Sequence, residues 1–476
     1  MIFTCDTSGI STEFSHFWKH TVGSDHAVIA LRADWEQQLR RCHTELGFKC
    51  LRFHGILSDD MGTLVYDSNE LIYSFFNTDQ VFDFLLSIGM RPFVELSFMP
   101  TAIASGPDVF FHYKGNVTPP RDYGEWATLI HKLVAHWVDR YGIEEVSNWF
   151  FEVWNEPNIS DFWKGTQADY FKLYQYTAEA IKKVDTSLQV GGPATANNGW
   201  ITEFINFCTD NKVPVDFIST HHYPTDGFGE PGDDTLTLLS KSRRSVLRDA
   251  VIHTRSQAGS LPVYYTEWNT SADPFDELHD MPYAAAYIIK TVMEAQGMVE
   301  GYSYWVCSDI FEENYLSSIP FHGGFGLLNI YGIPKPAYRA FQLLGDMGSH
   351  ALPVSGTHDT VDVWITKKEG FLKILITNTA LPSHPIKTEQ VEIQLYGIDH
   401  IISAGIERID EDHANARKAW VNMGMPGSLL PAQVKVLEQA SEMVKEPFEI
   451  IGNNSTILLV AEIPPQGTAC ITLEIA

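Results

Sequence analysis

The sequence predicts an α/β fold, a (β/α)8 TIM barrel followed by a C-terminal β-sandwich that carries a small helical insertion. Three observations lead there. From residue 48 to about 305, seven short apolar runs of strand type alternate with amphipathic helical segments. An eighth run, the first in order, fits the segment 19–30. Eight such units suit a closed barrel better than an open doubly wound sheet. The open sheet would also need a glycine-rich phosphate loop after its first strand, and no GxGxxG is present. Near Gly345 the pattern changes to short runs alternating apolar and polar, the signature of a sandwich. A chain of 476 residues exceeds one simple core. The barrel is placed at 1–344, with its first residues able to join the sandwich, and the sandwich at 345–476.

Taken in order, residues 1–30 carry little signal beyond that first strand. Asp34 reads as the N-cap of a helix through Trp35, Leu39 and Leu46, closed by Gly47. A strand follows at 48–55. Thr78 reads as the cap of a second helix that ends at Gly89, and 91–98 is the next strand. The clearest helix spans 123–141, where Trp126, Leu129, Ile130, Leu133, Val134, Trp137 and Val138 recur at three- and four-residue steps. It leads into Phe150-Phe151-Glu152-Val153-Trp154-Asn155-Glu156-Pro157-Asn158, an aromatic strand ending abruptly in a turn. Helices at about 167–184, 200–209, 240–256 and 282–295 then alternate with strands at 188–192, 215–220, 263–266 and 301–305. In the C-terminal part, strands are expected at 361–365, 372–376, 391–395, 455–460 and 469–473, with two helices inside 413–445.

The chain's formal charge is −27 and its pI about 5.0. A field of that sign repels nucleic acid and anionic membrane, so neither is an expected partner, whereas a neutral substrate is indifferent to it. Aromatic residues make up 12%, enough for both a core and a ring-stacking site. No basic region followed by an apolar run opens the chain, and no segment is apolar over a membrane's width. The six cysteines are scattered without a CxxC pair. Together these features lead to an expectation of a cytoplasmic protein with reduced thiols.

Two stretches resemble each other. One ends in Trp154-Asn155-Glu156; the other, Val263-Tyr264-Tyr265-Thr266-Glu267-Trp268-Asn269, also delivers a Glu beside a Trp and an Asn. By count they end strands four and seven, which face one another across a barrel mouth. Cleavage of a glycosidic bond needs a proton donor at the leaving oxygen and a carboxylate, or a base for water, at the anomeric carbon. Two nearby carboxylates resist ionising together, so one is held as the acid. The bland alternative is that each Glu caps a helix or pairs with an Arg at the rim.

The chain resembles the family 39 glycoside hydrolases, and within them the β-xylosidases. The resemblance rests on Arg52-Phe53-His54-Gly55-Ile56-Leu57-Ser58-Asp59-Asp60-Met61-Gly62, Phe93-Val94-Glu95-Leu96-Ser97-Phe98, Phe151 to Asn158 and His222-Tyr223-Pro224-Thr225. It extends through Tyr265 to Asn269, Phe321 to Asn329 and Arg408-Ile409-Asp410-Glu411-Asp412-His413. It implies a retaining exo-glycosidase that releases β-D-xylose from xylo-oligosaccharides, with Glu156 as general acid/base and Glu267 as nucleophile. It further implies that Asn155 bonds the sugar 2-hydroxyl and that His54 and His222 line the glycone subsite. Tyr223 would stand beside the nucleophile, Trp305 would form an aromatic wall, and Glu313 would hold glycone hydroxyls. Glu312 is an alternative to Glu313, because 314–319 departs from the family pattern. No cofactor is implied, and the family is often tetrameric.

Other readings remain open at this stage. His221-His222 could be metal ligands, but adjacent strand residues point to opposite faces and no HExxH accompanies them, so no metal is expected. His54 could be a satisfied buried histidine and Trp305 simple core. An iduronidase of the same family would share the catalytic pair but need a basic group for its substrate's carboxylate. A non-catalytic sugar-binding barrel would not need both Glu residues.

Overall fold

Eight parallel strands close into a barrel in the computed structural model, which describes residues 2–226, 232–453 and 456–476. They are β1 (Thr21–His26), β2 (Cys50–His54), β3 (Arg91–Leu96), β4 (Phe150–Val153), β5 (Gln189–Thr195), β6 (Phe217–His221), β7 (Val263–Trp268) and β8 (Gly301–Tyr304). The ring closes where Tyr304 of β8 pairs with Val22 of β1. The first barrel strand lies inside the 19–30 segment where the sequence left room for it.

The strands' period of two builds the barrel interior in layers. Cys50, Phe93, Phe150, Phe217 and Tyr264 form an apolar floor, with Phe93 stacked on Phe150 at 5.1 Å between ring centres. Two residues further along three of these strands come Arg52, Glu95 and Glu152, all buried. The interior therefore turns from aromatic to charged within one layer, below the end where the loops gather.

The outer helices form where amphipathic periodicity calls for them. Tyr123–Tyr141 starts at Asp122, whose carboxylate accepts from the Gly124 and Glu125 amides. Gln167–Val184 opens with a capping box between Thr166 and Asp169. Three details differ from expectation. Asp34 lies within the first turn of Ala33–Leu46, whose N-cap is Arg32, while Gly47 does take the left-handed closing position. Thr78 likewise lies inside Phe76–Ser87 and donates to the Phe75 carbonyl. The single helix expected at 240–256 is two, Thr235–Lys241 and Val246–Ala258. Arg244, between them, donates to the Thr360 and Thr379 carbonyls of the C-terminal domain, and that tertiary contact overrides helical propensity.

Two sheets form the sandwich. One orders Ile2–Asp6, Glu389–Tyr396, Thr456–Ile463 and Ile451–Asn453. The chain's first strand thus pairs in parallel with a strand nearly four hundred residues later. The other sheet is built around Val361–Lys368, Phe371–Asn378, Gly467–Ile475 and Ile401–Ile409. The sequence reading missed Ile401–Ile409, whose exposed start hides its alternation. It also started one strand at Ser455, which lies outside the described residues. The insertion folds as Ala416–Asn422 and Pro431–Ala440. Its Trp420 packs on Phe321 of the loop after β8 at 5.6 Å.

Candidate active site

The turn after β4 is held in an uncommon backbone conformation. Trp154 and Glu156 both have positive φ, 70° and 43°. Side chains disfavour that region, so the surrounding structure must hold it. The Glu156 amide donates to the Ala194 carbonyl at 2.8 Å, and the Asn158 side chain pairs with both backbone groups of Ala196. The end of β5 thus clamps the turn that presents Glu156.

A bulge does the equivalent on β7. Thr220 pairs with Tyr265, but the next residue of β6, His221, pairs with Glu267. The extra residue, Thr266, lets two successive side chains reach the interior. Thr266 bonds Glu152 while Glu267 bonds Arg52.

Above the charged layer lies a cavity of about 550 Å³. It brings together His54, Asn155, Glu156, Tyr223, Glu267, Trp305 and Glu313, with Phe110, Phe111, Phe162 and Phe325 as further apolar wall. Trp305 lies against β1, where a Cβ on Gly23 would come within 2.5 Å of its ring; only glycine permits that approach. Glu313 stands 3.5 Å from Nε2 of His54, whereas Glu312 turns away to His26 at 3.2 Å.

His222 is placed differently from the other expected residues. It is buried, is not among those lining the cavity, and has Asp226 at 3.9 Å. Its neighbour His221 instead contacts both candidate carboxyls: its Nδ1 lies 2.8 Å from Oε1 of Glu156 and 3.7 Å from Oε2 of Glu267. The reason is parity. His221 follows Phe217 and Ser219 on the inward face of β6, so His222 leaves that face.

The charges below the cavity decide which carboxyl is neutral. Arg52, fully buried, donates to Glu152 at 2.5 Å, to Glu267 at 2.5 Å and to Asn155 at 3.0 Å, and lies 2.8 Å from Glu95. The bond from Arg52 occupies the carbonyl oxygen of Asn155 and leaves its amide NH2 for the cavity. Burial pushes the His54 imidazole down, but Glu95 at 2.6 Å, Glu313 and Glu267 outweigh it and hold His54 protonated. Burial opposes the charge of Glu95 as well, and His54 and Arg52 reverse that and keep its carboxyl below the usual range. For Glu156, burial comes first, then repulsion from Glu267 and Asp226. Together they raise it well above an ordinary carboxyl despite His54 and Arg52. His221 is driven well below its usual value by burial and by the cations Arg52 and His54, so it is neutral. Burial likewise lifts the Tyr223 phenol, which keeps its proton and donates to Oε2 of Glu267 at 3.1 Å. Glu313 is pushed up to about 7, chiefly by burial.

Two sets of side chains, His54 with Glu95 and Glu267, and Glu156 with His221 and Glu267, place donor atoms within 4.8 Å of one another. Arg52 already supplies the positive charge there, and a divalent cation beside it would face direct repulsion. The chemistry open to the site is therefore acid and nucleophile work on a ligand in the cavity.

The sequence reading missed Arg52, Glu95, Glu152, His221 and Thr266 as members of the site. A usable signal existed for the first three. Each is a charged residue inside an otherwise apolar barrel strand, two residues beyond a floor residue.

Comparison with known proteins places these residues in context. The sequence model of the Glycosyl hydrolases family 39 matches residues 2–455. A β-xylosidase of Caldicellulosiruptor saccharolyticus is 48% identical over 468 residues, 97% of this chain and 96% of that protein. A β-xylosidase of Geobacillus stearothermophilus is 37% identical over 437 residues, 87% and 84% of the two chains. Among solved structures, a β-xylosidase from Caulobacter crescentus CB15, described as monomeric, superposes with a TM-score of 0.87 at 32% identity. It covers 100% of this chain and 99% of that one.

Proposed function

This chain belongs to the family 39 glycosyl hydrolases, and from that premise we propose that it is a β-xylosidase that releases β-D-xylose from xylo-oligosaccharide ends by a retaining double displacement. The observation that carries the reading is the unequal state of two close carboxyls. Glu156 is held neutral, while Glu267 accepts hydrogen bonds from Arg52 and Tyr223, and oxygens of the two lie within 4.8 Å. Retaining enzymes hold their carboxyl groups about 5–5.5 Å apart, inverting ones about 6.5–9.5 Å. The short approach supports the former.

In this reading the Glu267 carboxylate attacks the anomeric carbon as the glycosidic bond breaks. Glu156 gives its proton to the leaving oxygen. The resulting ester removes the negative charge of Glu267, one of the causes that raise Glu156. Glu156 then bears a stable carboxylate and takes a proton from the water that hydrolyses the ester. The Asn155 amide is offered to the sugar 2-hydroxyl, a contact that strengthens as the ring flattens. Glu313 and protonated His54 hold the other hydroxyls, with Trp305 as the wall behind them.

Among the described residues, no Lys or Arg lines the cavity, so a uronate carboxylate would find no permanent basic partner in that lining. This favours a neutral pentose over the iduronidase alternative. The experiment is reaction with a 2-fluoro β-xyloside, whose fluorine slows the second step and traps the ester. The label is expected on Glu267, and the first sugar seen by NMR during ordinary hydrolysis is expected to be β-xylose. A label on Glu313, or first release of the α-anomer, overturns the proposal.

A further inference from the structure

A chain of hydrogen bonds leads away from the acid. Oε1 of Glu156 lies 2.8 Å from Nδ1 of His221. Nε2 of His221 lies 3.0 Å from the Thr266 hydroxyl. That hydroxyl donates to Oε1 of Glu152 at 2.7 Å, and Oε2 of Glu152 accepts from Nε of Arg52 at 2.5 Å. All five side chains are buried.

Donor counting gives the chain a direction. A carboxylate only accepts, and a hydroxyl has one hydrogen. With its hydrogen on Glu152, Thr266 must accept from His221, so Nε2 of His221 carries the ring proton. A neutral imidazole protonated at Nε2 has a bare Nδ1, which can only accept. The donor to it must then be Glu156. We infer that Thr266 is a positioning residue: through Glu152 and Arg52 its hydroxyl fixes the tautomer of His221, and His221 thereby stores the catalytic proton on Oε1 of Glu156.

The other charged groups around Glu156 agree with this direction. Glu267 faces it from β7, Asp226 from beyond β6, and His54 and Arg52 from β2. Arg52 and His54 supply two positive charges against Glu95, Glu152 and Glu267, already one negative charge in excess, so a fourth anion at Glu156 is disfavoured. Burial also raises Glu152. If Glu152 held the proton instead, the three bonds from Glu152 through Thr266 and His221 to Glu156 would reverse while Arg52 went on donating, and Nδ1–H of His221 would donate to an ionised Glu156. The two directions make opposite predictions.

The inference rests on Glu156 being the acid, and the experiment separates the two claims. The alkaline limb of kcat/KM for xylobiose, whose leaving group needs a proton, is compared in wild type, Thr266→Val and Thr266→Ser. Without the hydroxyl, His221 can flip its tautomer and donate to the Glu156 carboxylate. The limb of Thr266→Val is expected to move about one pH unit toward acid, and Thr266→Ser to bring it back. An unmoved limb, a limb moved toward alkali, or a Ser variant that behaves like Val overturns the relay. Glu156→Gln is run alongside. If it loses xylobiose and a nitrophenyl xyloside equally at the glycosylation step, the acid assignment itself fails. If it spares the nitrophenyl substrate while the Thr266→Val limb stays fixed, only the relay fails. A measurement needing no variant is the ¹⁵N shift pair of His221 in the wild-type enzyme. A neutral ring protonated at Nε2 is expected, and a ring protonated at Nδ1 or at both nitrogens overturns the inference.

Discussion

Arg52 donates through Nη1 to Oε1 of Glu267 at 2.5 Å, from a fully buried position on the strand that also carries His54. The same guanidinium reaches Glu152, Glu95 and Asn155, so one side chain on β2 ties together residues from β2, β3, β4 and β7. A planar five-donor fork can do this; an ammonium point charge cannot. Leaving one partner of a buried ion pair alone costs about 3–5 kcal/mol. Arg52→Met should therefore lower unfolding free energy by at least about that much at neutral pH, read from denaturant titration. The deficit should shrink toward pH 4, where the stranded carboxylates can take up protons. An equal deficit at both pH values would mean that lost packing, not stranded charge, is the cause.

The assignment of Glu156 as acid predicts a dependence on the leaving group. Glu156→Gln keeps the shape but loses the proton. Hydrolysis of xylobiose should fall by about 10²–10⁴-fold, the usual contribution of acid catalysis. Glycosylation from a dinitrophenyl xyloside, which departs without a proton, should change much less. Pre-steady-state bursts isolate that step. Equal losses for the two substrates would move the acid role elsewhere.

His26 offers a prediction about stability. It is fully buried, lies 3.2 Å from Asp25, 3.1 Å from Asp60 and 3.2 Å from Glu312, and stacks on Tyr113 at 3.7 Å between ring centres. Burial alone would lower it, but Asp25 and Asp60 outweigh burial and raise it to about 9 from 6.5. A group raised in the folded state stabilises fully below its unfolded value, and the gain is lost as pH rises through the folded one. His26→Gln should thus be destabilised by about 3 kcal/mol near pH 6. The difference from wild type should fade between pH 6.5 and 9, measured as unfolding free energy at several pH values. A difference that does not vary with pH would show that His26 is neutral in the fold.

The barrel was legible because its signals are local. Helix 123–141 and the helix at about 167–184 could be placed because their signals lie within the segment. Glu156 and Glu267 stood out because each ends an aromatic strand in a matching context. What escaped was set by contacts distant in sequence. Thr266 enters the interior through a bulge that only the pairing of β6 with β7 defines. The break at Arg244 depends on carbonyls at Thr360 and Thr379. The choice between His221 and His222 needed the parity of β6 counted from Phe217. Glu312 and Glu313 could be separated only by seeing which one faces His54.

The last prediction is the choice of sugar. Xylose carries no substituent at C5, so a pocket closed near C5 rejects glucose by clash and a uronate by clash and charge together. Trp305, Phe325 and Phe111 line the cavity as apolar walls, together with Glu313 and His54. Glu313, pushed up to about 7, is partly ionised at neutral pH, and ionised Glu267 adds a second negative charge. A substrate carboxylate would meet both, opposed by the His54 imidazolium and the Arg52 guanidinium, which Glu95, Glu152 and Glu267 already engage. The ranking of kcat/KM should be nitrophenyl β-xyloside first, the α-arabinopyranoside, its C4 epimer, second, the β-glucoside well below, and the α-iduronide lowest. Because Glu313 titrates within the assay range, the gap between xyloside and iduronide should widen from pH 6 to pH 8. Glu313→Gln should narrow that gap while lowering turnover of the xyloside. An iduronide that leads the panel, or a gap that ignores both pH and Glu313→Gln, would remove charge from the account of specificity and return the site to the iduronidase reading.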